Sequence, residues 1–399
     1  MKRSRILSLA AAGALCISLL AGCGGGGGGS AATPAPGGNA GTPAPAGDSA
    51  FKLGGIGPLT GGAAIYGNNA MNGAQIAVDE INALGGMQFV LNPQDDEHDG
   101  EKSVNAYNTL KDWGMQALIG TVTTGPSLSV GPLAFQDRIF MLTPSASSTD
   151  TVSGKDNVYQ VCFTDPNQGF RSAEYIDEHM DVSKIAIIYK NDDAYSQGIR
   201  DSFAAEAGNR GMEVVYEGTF TTDTQSDFSV QVSAAQSAGA DLVYLPIYYQ
   251  PASIILNQAN SIGYAPTFFG VDGMDGILTM VGFDTKLAEG VMLLSPFAAD
   301  AEDARTQSFV SEYQKRHGET PNQFAADGYD AVYIIYEALK AANCTPDMTA
   351  EQINDAILGV INTISVDGLT GTAMTWATDG TVNKDPRAVV IQDGVYVTP

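Results

Sequence analysis

The sequence predicts an α/β protein of two doubly wound lobes. Three observations carry that prediction. The length of 399 residues, with 44% hydrophobic residues, allows two domains or one large one around a sizeable core. From residue 51 onward, short apolar runs alternate with amphipathic stretches of helical length. The alternation then repeats, once near 52–160 and again near 184–295. Strands that alternate with helices imply parallel sheets covered by helices on both faces.

Residues 51–57 are a short apolar run ending in glycine, read as a strand. Over 68–84, Met71, Ala74, Val78, Ile81 and Leu84 recur at three- and four-residue steps, one face of a helix that Gly85-Gly86 stops. Strands follow at 89–91, 117–120 and 139–142, separated by helices over 104–110 and 128–135. The second run opens on a strongly apolar strand at 184–189 and continues with strands at 213–216, 242–245, 267–270 and 291–294. Its helices fall at 196–208, 227–237 and 251–262. Helices at 305–317, 323–341 and 350–360 form a remainder that returns to the two lobes.

The N-terminus reads as an address and an anchor. A basic Met-Lys-Arg-Ser-Arg start precedes an apolar stretch from Ile6 to Leu20, too short for a membrane span, and then Leu20-Ala21-Gly22-Cys23. That tetrad resembles the lipobox of bacterial lipoproteins, which implies cleavage after residue 22 and lipidation of Cys23. Two acyl chains there satisfy the two-signal condition for stable membrane attachment. Residues 23–50 hold six consecutive glycines followed by Ala, Thr, Pro and Gly without apolar periodicity, a flexible tether. About 27 such residues reach roughly 25–30 Å. No Gly-Lys-Ser/Thr follows the glycines, so they are not a phosphate-binding loop. The expected location is extracytoplasmic, tethered to the membrane.

Charge and motifs exclude several functions. The net charge is −25, from 45 acids against 20 bases; without Lys2, Arg3 and Arg5 the remaining 17 bases leave it at −28. Phosphate backbones need clustered Lys and Arg, so no nucleic-acid partner is expected. Three histidines (His98, His179, His317) lie in separate hydrophilic stretches, are read as surface residues, and do not make a metal centre. Asp95, Glu97, Asp99 and Gly100 partly match a calcium loop, but its twelfth position is Ala106. There is no Gly-x-Ser-x-Gly elbow, His-Glu-x-x-His or Cys-x-x-Cys, and Gly55-Ile56-Gly57 lacks the third glycine of a dinucleotide fingerprint. No catalytic residue, metal or cofactor is expected. Cys162 and Cys344 could pair in an oxidising compartment, with unpaired thiols as the other reading.

In open α/β sheets ligands bind beyond the carboxyl ends of the strands. Here those loops are 57–66, 121–127 and 143–148 in the first lobe, and 191–198, 246–250 and 271–275 in the second. The first-lobe loops crowd hydroxyls: Thr121, Thr123, Thr124 and Ser127 in one turn, Thr143, Ser145, Ser147 and Ser148 in another. Neutral donors beside a helix N-terminus suit a carboxylate, while Thr124 before Gly125-Pro126 also suits a plain N-cap. The second-lobe loops contribute Tyr195, Tyr248, Tyr249 and Asp272. An acid among aromatics suits an ammonium and an apolar side chain, while Asp272-Gly273 equally suits a solvated turn.

These residues carry a family likeness. Ile56-Gly57-Pro58-Leu59-Thr60-Gly61, Tyr66-Gly67, Asn72-Gly73-Ala74 and the 77–82 segment with Gly85-Gly86 resemble the opening of the leucine/isoleucine/valine-binding proteins. So do Ile119-Gly120, Thr143 to Ser147, Asp192-x-x-Tyr195-x-x-Gly198 and Gly270-x-Asp272-Gly273. The resemblance covers residues 51–399. It implies the type I periplasmic binding fold, with two lobes joined by three hinge crossings near 164–165, 295–297 and 387–389. Lobe 1 is then 51–165 with 297–387, and lobe 2 is 166–296 with 388–399. It further implies a monomeric substrate-binding protein that delivers an amino acid to an ABC transporter permease. Matched residue by residue, the ligand carboxylate falls to Thr124, Ser145 and Ser147, the cleft aromatics to Tyr66, Tyr195 and Tyr248, and the ammonium to Asp272. The expected acid at the last position is glutamate, so aspartate must lie closer or act through water. A disulfide of some relatives is replaced by His98 and Thr123. A sensor of the same fold and a binder of amides or aromatic acids are the alternatives.

Overall fold

The computed structural model describes residues 49–399; the signal segment, Cys23 and the tether up to residue 48 lie outside the described residues. The first lobe runs β1 (Phe51–Gly57), α1 (Ala64–Ala83), β2 (Phe89–Asp95), α2 (Gly100–Trp113), β3 (Ala117–Ile119), α3 (Thr124–Asp137), β4 (Phe140–Thr143) and β5 (Val158–Gln160). The second runs α4 (Asp165–His179), β6 (Lys184–Lys190), α5 (Ala194–Arg210), β7 (Glu213–Phe220), α6 (Ser229–Ser237), β8 (Leu242–Leu245), α7 (Tyr249–Ser261), β9 (Thr267–Gly270) and β10 (Met292–Ser295). Then come α8 (Ala304–His317), α9 (Gln323–Ala341), α10 (Ala350–Leu358), β11 (Arg387–Gln392) and β12 (Val395–Val397).

The first sheet is fully parallel in the order β2-β1-β3-β4-β5. The second has the order β12-β11-β10-β9-β8-β6-β7, with β11 and β12 antiparallel at one edge. The strand order reverses between β1 and β3 in one sheet and between β6 and β8 in the other. These switch points are where open sheets bind ligands. Central strands such as β3, β4 and β8 are buried throughout, as continuous apolar runs require when helices cover both faces.

Strands 158–160, 387–392 and 395–397 and helix 165–179 add to the elements expected from the sequence. The edge strands β11 and β12 are partly exposed and weakly patterned. Helix α3 begins at Thr124, four residues before the expected 128. Gly125-Pro126 hides its start, because Pro126 sits in the first turn, where a missing N–H has no helical partner to lose.

Helix α9 packs on α1 through two glycines. A Cβ at Gly73 would lie 1.8 Å from the Ala325 carbonyl oxygen, and one at Gly328 2.0 Å from that of Ala70. This backbone-to-backbone approach delivers the first turn of α9 to the boundary between lobes. Lys384, just before β11, is tied to the segment after β5 and to α9. Its ammonium, 1% exposed, donates to Asp327 Oδ1 at 3.0 Å, the Val161 carbonyl at 3.0 Å and Thr370 Oγ1 at 2.6 Å. Cys162 and Cys344 are both buried and unpaired.

Candidate functional site

The loops at both switch points converge on one cavity with about 10 Å³ of free space, roughly that of one water. Tyr66, Ser145, Tyr195, Tyr248 and Asp272 line it, together with Val122, Thr123, Gly273 and Phe324. Five of the seven residues predicted from the sequence therefore share one space. The other two, Thr124 and Ser147, are 1% and 0% exposed and lie on the loops beside Thr123 and Ser145.

The crowded hydroxyls divide into two groups. Thr121 Oγ1 pairs with Ser127 Oγ at 2.6 Å, and Thr143 Oγ1 donates to the Thr121 carbonyl at 2.7 Å while accepting from Ala146 N–H at 2.9 Å. These bonds hold the two loops together. Thr124 Oγ1 and Ser147 Oγ, equally buried, make no hydrogen bond of normal geometry, although Ser147 lies close enough to Asp165 to pull its carboxyl down. Thr124 is also not the N-cap of α3; Thr123 holds that position, without a side-chain bond to the helix. The capping explanation for Thr124 thus fails. Thr124 Oγ1 stays unbonded in the first turn of α3, where free N–H groups and the helix dipole favour an anion, and Ser147 Oγ lies in the loop after β4.

From the second lobe, Asp272 is 3% exposed on a single turn, Asp272–Met274. Its Oδ1 accepts from Tyr195 O–H at 2.6 Å and from Gly273 N–H at 2.8 Å. Burial pushes its carboxyl up to about 6, against the lowering pull of Tyr195, Gln168 and the Gly273 amide. A solvated turn acid is therefore not what the fold makes of Asp272. Gly273 must lack a side chain, since a Cβ would sit 2.5 Å from Tyr195 Oη and 2.8 Å from the Tyr248 ring.

Aromatic rings enclose the acid. Tyr195 stacks on Tyr248 at 4.8 Å, and Tyr66 lies 5.3 Å from Tyr248 and 4.6 Å from Phe324. The Tyr66 hydroxyl bridges the lobes, donating to the Gly273 carbonyl and accepting from Tyr249 N–H at 3.1 Å. Tyr249 O–H donates back to the Gly62 carbonyl at 2.8 Å. A second space of about 390 Å³ lies outside this tyrosine wall, bordered by His98, Lys190, Asp193 and Gln250.

His98 departs from its expected place on the surface. It packs edge-on against Tyr248 at 5.5 Å, and its Nδ1 lies 2.9 Å from Thr123 Oγ1. Burial, with Lys190 nearby, pushes the imidazole down to about 4, so it is neutral at pH 7. His98 and Thr123 are thus joined by a hydrogen bond. The hydrophilic flanks of His98 concealed this. His179 and His317 are exposed. The carboxylates of the suspected calcium loop have structural duties: Asp95 accepts from Leu59 N–H at 2.8 Å and Asp99 caps α2.

Four further residues at the site carried no sequence signal. Gln168 accepts from Asp272 N–H at 3.2 Å, and its Nε2 is unbonded. Gln323 donates to the Asp272 carbonyl at 2.8 Å. Phe324 stands beside it in the first turn of α9. Asp165, in the first turn of α4, is 1% exposed, and burial raises its pKa well above the usual range against the lowering pull of the Ser147 hydroxyl.

Two parallel α/β lobes whose switch-point loops meet over a small polar cavity define a two-lobed solute-binding protein. The chain belongs to the periplasmic binding protein family, whose model matches residues 50–395. A Leu/Ile/Val-binding protein homolog of Brucella melitensis is 30% identical over 303 residues, covering 75% of this chain and 81% of that protein. The branched-chain amino acid transporter substrate binding protein of Streptococcus pneumoniae, solved in complex with isoleucine, aligns with a TM-score of 0.78 and 25% identity. It covers 88% of this chain and all of its own. A solute binding protein of R. palustris, solved with benzoate, shares the fold with a TM-score of 0.77 and 18% identity, over 87% of this chain and 95% of that one.

Proposed function

We propose that this protein is the extracytoplasmic substrate-binding lipoprotein of an ABC importer, taking a small amino acid between its lobes and presenting it to the permease. The observation that carries this reading is the pairing of unbonded buried hydroxyls, Thr124 and Ser147, with a buried acid, Asp272, across one cavity. The hydroxyls with the N-terminal amides of α3 take the α-carboxylate, and Ser145 adds main-chain groups. Asp272 takes the ammonium on Oδ2, since Tyr195 and Gly273 bond Oδ1. Tyr66, Tyr195 and Tyr248 cover the head group and shape an apolar side-chain site.

The residual space holds one water, so an amino acid enters only when the lobes part. The Tyr66–Gly273, Tyr66–Tyr249 and Tyr249–Gly62 bonds are among the contacts that break on opening. A ligand bonded to both lobes favours the closed arrangement, which supplies the differential affinity a population shift requires. A few charged hydrogen bonds at ~1.5–3 kcal/mol each, less ordering costs, give micromolar affinity, about −8 kcal/mol.

Lipidation at Cys23 and the tether to residue 50 keep the binding unit at the membrane beside its permease. No described helix is long and apolar enough to cross a membrane. A thermal-shift and calorimetric panel of amino acids, their amides and aromatic acids tests the ligand class. Aliphatic amino acids should raise the melting temperature; a response confined to benzoate-like acids would overturn the reading.

A further inference from the structure

Behind the Asp272–Met274 turn, away from the cleft, lies a separate cavity of about 400 Å³. Both lobes build it. Leu278, Leu293, Val389 and Tyr396 come from the second, and Val310 of α8 from the helices that return to the first. Its buried acid is Asp275, 3% exposed. Asp275 Oδ2 accepts from Gln323 N–H at 3.0 Å, whereas Oδ1 makes no hydrogen bond of normal geometry, and the Tyr396 hydroxyl lies against the carboxyl and pulls its pKa down. The adjacent Tyr396 hydroxyl accepts from Gly276 N–H at 3.3 Å. Asp300 is a second acid on the wall, and no lysine, arginine or histidine lines the space.

We propose that this cavity is a second small-molecule site that takes an organic cation with an apolar body, its ammonium seated on Asp275 Oδ1. The volume falls within the range of roughly 300–1,000 Å³ typical of ligand pockets. The walls are mostly apolar, which suits a hydrocarbon body. A buried carboxylate that faces only a tyrosine hydroxyl and backbone amides has no counter-charge, and an ammonium supplies charge and donor together. Burial raises the Asp275 carboxyl only to about 6, so it is ionised at neutral pH. An anionic guest would face two acids with no base. A neutral apolar guest would leave the Asp275 charge uncompensated.

The site communicates with the cleft through one residue. Gln323 donates its backbone N–H to Asp275 and its side-chain amide to the Asp272 carbonyl, so one glutamine touches both acidic turns. A guest that contacts both lobes also biases their relative position. Amine occupancy therefore changes amino-acid affinity at the cleft, and the effect is reciprocal. This coupling, unlike the site itself, rests on the amino-acid reading of the cleft.

The test titrates the purified protein with 2-phenylethylamine by calorimetry and NMR, in the presence of saturating isoleucine. One amine should bind without displacing isoleucine. Asp275→Asn should weaken it at least tenfold, and Leu278→Trp should block it by filling the cavity. Absence of amine binding, displacement of the amine by isoleucine, or binding as tight as the parent's in either cavity variant would each overturn the site. Should Asp275→Asn fail to fold, Leu278→Trp alone decides. Isoleucine affinity should shift at least threefold with amine bound; an unchanged value overturns the coupling. If isoleucine does not bind at all, the proposed transport role fails, and the amine titration without isoleucine still tests the cavity.

Discussion

Replacing Asp272 by asparagine should weaken amino-acid binding and stabilise the protein alone. Asparagine retains an oxygen for Tyr195 O–H and Gly273 N–H, so the turn and both rings keep their places. What is lost is the charge facing the ligand ammonium. A charged hydrogen bond contributes ~1.5–3 kcal/mol, or roughly a 10- to 150-fold rise in Kd. The same charge strains the unliganded fold. Burial raises the Asp272 carboxyl from 3.8 to about 6. At about 1.4 kcal/mol per pKa unit, ionised Asp272 destabilises the fold by on the order of 3 kcal/mol. The sign follows from the proton count. Between about 4 and 6 the folded state binds more protons than the unfolded one, so stability contributed by this group falls as pH rises through that window. Asparagine removes the penalty. Its melting temperature without ligand should exceed the parent's by a few degrees at pH 7.5, with the difference vanishing below pH 4. Isothermal calorimetry with isoleucine and melts across pH provide both readouts. An unchanged Kd, or a weaker Kd accompanied by a lower melting temperature, would refute the reasoning.

Other expectations concern single residues. Thr124→Val should raise the isoleucine Kd at least tenfold while leaving the melting temperature equal or slightly higher, since it removes a buried unbonded hydroxyl. Gly273→Ala should reduce affinity by more than tenfold, because its Cβ would collide with Tyr195 and Tyr248, and crystallography should find both rings displaced. Lys384→Met should lower stability by about 3–5 kcal/mol in urea melts, since it leaves Asp327 buried and unpaired. Cys23→Ser should move the expressed protein from the membrane fraction to the soluble fraction.

How legible each feature was depended on how locally its cause is written. The strand at 184–190 and the helix over 323–341 follow from apolar periodicity alone. Helix α4 does not, because its start, Asp165-Pro166-Asn167-Gln168-Gly169, carries no apolar face, although Thr164 and Pro166 are ordinary start signals. Asp272 and Thr124 were legible as polar residues at strand ends, and the resemblance ordered them into one site. Composition left capping and binding equally open for Thr124; only the three-dimensional count of hydroxyl partners separates it from Thr121 and Ser127. Gln168, Gln323 and Asp165 sit in first turns of helices and reach the cleft by tertiary packing, which no local pattern encodes. His98 was misplaced for the same reason: its neighbours in sequence are polar, but its neighbours in space are Tyr248 and Thr123.

The central claim is that one cleft reads both ends of a zwitterion. The most direct measurement compares isoleucine with two analogues by calorimetry at pH 7.5: a branched carboxylic acid lacking the ammonium, and a branched amine lacking the carboxylate. The account predicts micromolar binding of isoleucine and at least a tenfold loss for each analogue at the cleft, with Asp272→Asn narrowing the gap between isoleucine and the acid. Equal binding of isoleucine and the acid would contradict it, because Asp272 would then have no part in recognition.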